Sequence, residues 1–132
     1  MLPSNVMKNK YRKGRGTTVG DRNEIVIETK IGFVKSDLMQ IVIVRSKERR
    51  SEVLLASGRN IESIWTIKKW KEQLPENTFI ETHRGVIVNL EYVSEVENER
   101  IILLDGAEEE YLSKRKYQEF KQAYLDYMNG NV

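Results

Sequence analysis

Three short basic clusters hold the side chains with the most chemistry to offer: Lys47, Arg49 and Arg50; His83 and Arg84; and Lys114, Arg115 and Lys116. Arginine presents a planar fork of donors that fits a guanine edge in the major groove, and histidine can bond a base edge or a phosphate. Lysine supplies mostly sequence-independent phosphate contacts. Nucleic-acid binding follows if the fold gathers the clusters on one edge; if it does not, each is an ordinary exposed loop.

Other chemistries have less behind them. One histidine and no cysteine leave only carboxylates for a metal. Glu108-Glu109-Glu110 in a strand would alternate between faces and reads as a solvated strand or turn. His83 could serve as a general base, but no nucleophile, second carboxylate or glycine-rich phosphate cradle accompanies it. Neither the P-loop nor the dinucleotide fingerprint occurs. The expectation is a protein without enzymatic activity, cofactor or metal.

The elements that must position these residues fit one domain of 132 residues, long enough to bury a core without staples. No apolar run approaches the roughly 20 residues that span a bilayer, and the basic N-terminus lacks a signal-peptide core, so a cytoplasmic protein is expected. The net charge of +2 is uneven: Lys8, Lys10, Arg12, Lys13, Arg15 and Arg22 stand against Asp21 alone in residues 1–23. That stretch has no hydrophobic period and reads as a flexible basic arm, with a partnerless solubilising leader as the alternative. The remainder, 24–130, is on balance acidic, so any nucleic-acid contact must come from local clusters.

From Glu24 a period of two puts Ile25, Ile27, Thr29 and Ile31 on one strand face. Gly32 breaks it, Phe33 to Lys35 resume, and Ser36-Asp37 offers a turn before a buried-type strand from Met39 to Val44. Residues 45–51 read as a loop, followed by a return strand over 52–56 and a Ser57-Gly58 turn. Thr66 to Leu74 is a helix with Ile67, Trp70 and Leu74 on one face, ended by Pro75. Phe79 to Glu81, Val86 to Asn89, Tyr92 to Val96, Ile101 to Leu104 and Glu109 to Leu112 are strands. From Ser113 as N-cap, the positions Tyr117, Phe120, Tyr124 and Met128 mark a last helix ended by Gly130. The fold class is thus mostly β with two short helices, an α+β arrangement. The helices lie about 40 residues apart, which excludes a helix-turn-helix. Trp65, Trp70, Tyr117, Phe120 and Tyr124 fit core packing better than a base-stacking platform.

This order of features resembles the LytTR family of bacterial DNA-binding domains across residues 24–126. The matching pieces are the short helix Ile67–Leu74 with Pro75, the aromatic Phe79, His83-Arg84-Gly85, Val86-Ile87-Val88-Asn89, Leu104-Asp105-Gly106 and Leu112-Ser113-Lys114-Arg115-Lys116-Tyr117. The resemblance implies a multi-stranded β domain whose loops contact successive major grooves of double-stranded DNA. It implies a transcription regulator that binds paired direct repeats and self-associates on them. Its contacts would fall at Lys47 to Arg50, at Arg84 with His83 beside it, and at Arg115; Asn89 would hold backbone rather than DNA. Gly85 stands where the family often has serine. With neither a receiver domain nor a membrane segment ahead of it, the chain is expected to be a stand-alone regulator. The alternative is a protein-interaction module whose basic loops meet an acidic partner.

Overall fold

The computed structural model of the chain describes residues 23–130; the expected arm, apart from Asn23, lies outside them. Alternation from Glu24 gives β1 (Glu24–Thr29), with Ile25 and Ile27 buried, paired antiparallel to β2 (Gly32–Asp37). Ile31 does not reach the core face. It sits in the hairpin turn, 96% exposed, because the strand and its alternation stop at Thr29. Asp37 ends β2 and its carboxylate accepts the Met39 N–H, capping a 3-10 turn over Leu38–Gln40. The next strand, β3 (Ile41–Lys47), therefore starts later than Met39.

The expected loop over 45–51 is mostly strand. β4 (Arg50–Leu55) pairs back along β3 through Arg45–Glu52, Ser46–Ser51 and Lys47–Arg50, leaving Glu48-Arg49 as the turn, with Glu48 left-handed at φ 59°. Hydrophobicity ends at Val44, but ladder hydrogen bonds need no apolar side chain. Ser51 is 1% exposed and still satisfied: its hydroxyl donates to Trp65 O at 2.8 Å and accepts from Trp70 Nε1 at 2.7 Å. β5 (Asn60–Ser63) joins the outer side of β4 and buries Ile61. A single apolar residue between polar neighbours gives it no sequence signature.

Helix α1 (Ile67–Gln73) is capped by Thr66, whose Oγ1 accepts the Lys69 N–H, and it buries Trp70. Strands β6 (Phe79–His83), β7 (Val86–Asn89), β8 (Val93–Glu97), β9 (Arg100–Leu103) and β10 (Glu108–Tyr111) follow, then α2 (Tyr117–Met128). Ser113 makes no side-chain capping bond; a 3-10 turn over Lys114–Lys116 separates it from α2. On α2, Phe120 is buried, Tyr117 and Tyr124 are half-buried, and Met128 is 62% exposed.

The central sheet has the order β5-β4-β3-β7-β6, every pair antiparallel. The β1–β2 hairpin and α1 cover one face, where Ile27, Trp65 and Trp70 meet Ile41, Val44, Val53 and Ile87. The second sheet, β10-β9-β8, and α2 cover the other, where Ile101, Leu103, Leu112 and Phe120 meet Val42, Ile43, Leu54, Val86 and Val88. Burial on both faces explains why the central strands read as unbroken apolar runs. A register shift between Ile41 and Ile43 turns Val42 and Ile43 to the same core, the re-aiming that a bulge produces.

Candidate nucleic-acid interface

Because the central strands alternate in direction, the end of β3, the start of β4, the end of β6 and the start of β7 share one end of the sheet. The Lys47–Arg50 tip and the Arg84-Gly85 turn are thereby neighbours, and Ser46 N–H donates to Gly85 O at 2.7 Å. Gly85 has φ +87°, and a Cβ there would stand 3.1 Å from Ser46 Cβ. The left-handed backbone and the close approach of the two hairpins thus both favour glycine at this position.

The third cluster arrives through an irregularity in β6. Glu81 pairs with Ile87 and His83 with Val86, so Thr82 is an extra residue, and its carbonyl accepts the Ser113 N–H at 3.3 Å. That bond docks the turn Lys114–Lys116 beside the end of β6. All three clusters singled out from the sequence lie at one end of the central sheet.

Acidic side chains hold the assembly from behind. Arg45 of β3 donates to Glu108 at 3.2 Å and to Glu110, which also stands 3.6 Å from His83 Nε2. Burial opposes the Arg45 charge, but the two carboxylates outweigh it and raise its pKa further. The Tyr111 ring packs edge-on against His83 at 5.3 Å. The acidic run is therefore not simply solvated: the Glu110 side chain is 11% exposed, and Glu109 turns instead to Arg100. Its alternation between faces is as the strand pattern requires.

Glu81 has three partners from three elements. Its Oε1 lies 2.7 Å from Lys71 Nζ of α1 and 3.8 Å from Lys116 Nζ, and its Oε2 accepts the Gly85 N–H at 3.4 Å. Burial works against its charge, but Lys71, the Gly85 amide and Lys116 together hold the carboxyl below its ordinary value.

The predicted residues now separate by exposure. Arg49, Arg50, Arg84 and Arg115 are exposed and make no salt bridge among the described residues. Lys47 and Lys114 are exposed but pair with Glu62 at 2.9 Å and Glu99 at 3.5 Å. His83 and Lys116 are half-buried and turned to Glu110 and Glu81. Sequence reasoning missed Arg45, Glu81 and Glu110. Arg45 and Glu110 are 65 positions apart, and no local pattern could pair them; Glu81, two residues before His83, could have been noticed.

Trp65 and Trp70 meet edge-to-face at 4.7 Å inside the core, so neither is a stacking platform. Among the described residues no cluster of histidine and carboxylates could hold a metal ion, and no helix is long and apolar enough to cross a membrane.

The model of the LytTr DNA-binding domain matches residues 32–125. The chain belongs to the LytTR family. Among solved structures, this LytTR chain is similar to the LytTr DNA-binding domain of a putative methyl-accepting/DNA response regulator from Bacillus cereus. Identity is 16% and the TM-score 0.64, over 76% of this chain and 94% of that one. At that identity the likeness speaks for the fold, which is the mostly β arrangement with two helices described above. No curated protein matches the chain.

Proposed function

We propose that this LytTR domain is a sequence-specific transcription regulator acting in the cytoplasm, which binds double-stranded DNA by presenting the loops at one sheet end to successive major grooves. The observation that carries the reading is the convergence of four exposed arginines, free of salt bridges among the described residues, on one end of the central sheet. Arg84 and Arg115 sit on turns tied to the same strand and are assigned to base edges, where a guanidinium bonds guanine bidentately. Arg49 and Arg50 at the adjoining tip, with Lys47 and Lys114, are assigned to the same groove and its phosphates. His83 and Lys116 contribute from the second rank. Binding to paired direct repeats, with self-association on DNA, follows from the family resemblance. The basic residues of 1–23 add phosphate contacts, so removing them lowers the salt dependence.

Alanine substitution tests the assignment. Arg115→Ala in a folded protein is expected to cost about 1–3 kcal/mol on the preferred duplex and to relax preference at one position. Unchanged affinity and preference would remove Arg115 from the base contacts. Tight binding to any polyanion, with no duplex preferred, would favour an interaction module that meets acidic partners.

A further inference from the structure

Of the exposed arginines, Arg84 and Arg115 stand on separate turns, and reading one site requires both to be held at a fixed separation. Each turn has its own backbone bonds, but the backbone link between them is a single long one, Ser113 N–H to Thr82 O at 3.3 Å. The Arg84-Gly85 turn joins two strands, and the Lys114–Lys116 turn is a single 3-10 turn without a side-chain cap. What lies between them is Glu81.

We propose that Glu81 is a positioning residue for DNA recognition: its carboxylate ties the Arg84-Gly85 turn, the Lys114–Lys116 turn and helix α1 into one unit. The geometry is divided between its oxygens. Oε1 meets Lys71 and Lys116, one from α1 and one from the turn that carries Arg115, while Oε2 takes the amide of the residue after Arg84. The side chain is 19% exposed, so water competes weakly for these contacts. The Lys71 contact, at 2.7 Å, has the length of a charge-assisted bond, among the stronger ones a side chain makes, while Lys116 at 3.8 Å adds an ion pair and the Gly85 amide a long hydrogen bond. Lys116 thereby changes role: its ammonium is directed to Glu81, and it serves the geometry of its neighbour Arg115 more than it serves a phosphate.

The idea rests on the DNA-binding reading and makes an unusual demand of charge. A carboxylate on a DNA-facing edge repels phosphates, so by electrostatics alone Glu81→Gln strengthens binding to every duplex and Lys71→Gln weakens it to every duplex. A positioning role predicts that both variants, opposite in charge, lose discrimination. The experiment measures affinity for the preferred duplex, found by selection from a random library, beside a scrambled duplex, for the full chain. The ratio of the two is expected to fall about tenfold in Glu81→Gln and in Lys71→Gln, the scale of one lost charge-assisted bond. Lys71→Arg keeps the ratio. Glu72→Gln, an exposed charge change on the same helix, shifts both affinities together and leaves the ratio alone.

Lys71 is half exposed, so its variant reports even if Glu81→Gln fails to fold. A ratio unchanged in both variants, with affinities moving only as charge dictates, overturns the positioning role and leaves the DNA-binding reading intact. A wild-type protein that prefers no duplex overturns both.

Discussion

Asn89 Nδ2 donates to the carbonyl of Ile41 at 2.8 Å, joining the end of β7 to the start of β3, while its Oδ1 accepts the Glu91 N–H at 2.9 Å. The side chain is fully buried. It holds backbone at the end of the sheet opposite the basic loops, as the resemblance implied. Asn89→Ala is expected to destabilise the fold by about 2–4 kcal/mol, since two hydrogen bonds go and buried groups lose their partners. Chemical denaturation measures this. A loss under half a kcal/mol would show that Asn89 is not a structural clasp.

Gly85→Ser is expected to destabilise the chain by about 1–2 kcal/mol. The position has φ +87° and a new Cβ would press on Ser46. A melting temperature at or above that of the wild type would contradict the account of how the two hairpin tips fit together.

Thr82 is fully buried, and its Oγ1 has no hydrogen-bond partner among the described residues. Its backbone carries the docking of Ser113, so the hydroxyl itself is dispensable. Thr82→Val keeps the shape and removes an unsatisfied polar atom, with an expected gain of about 1 kcal/mol. Destabilisation on thermal unfolding would mean that the hydroxyl is satisfied after all.

The acid limb of stability reports on Glu81. Its partners hold the carboxyl below its ordinary value, so the stabilisation is complete above the unfolded-state pKa of about 4.3 and is lost as pH falls through the lower folded-state value. The stability difference between wild type and Glu81→Gln should therefore shrink on acidification across that window. A difference independent of pH would deny Glu81 its ionised role in the fold.

Much of this architecture was legible because it rests on patterns that physics ties to the chain locally. Alternation marked β1, the apolar runs marked β3 and β7, and Thr66 with Pro75 bounded α1 almost to the residue. What failed was strand without hydrophobicity. Residues 45–47 and 50–51 continue the ladder on polar side chains, and β5 offers Ile61 alone. The basic clusters were visible as composition, while their convergence needed the topology. The carboxylates behind them were invisible as partners because Glu110 reaches Arg45 only after the second sheet has folded over the first.

Specific recognition of duplex DNA by loops can be tested on the protein itself. Selection of bound sequences from a random duplex library, then salt titration of the winner beside a scrambled duplex, tests it most directly. An enriched motif is expected, with two repeats spaced by whole turns of the double helix and an affinity gap that persists as salt rises. No enrichment, with both duplexes bound alike and lost alike on adding salt, would contradict it.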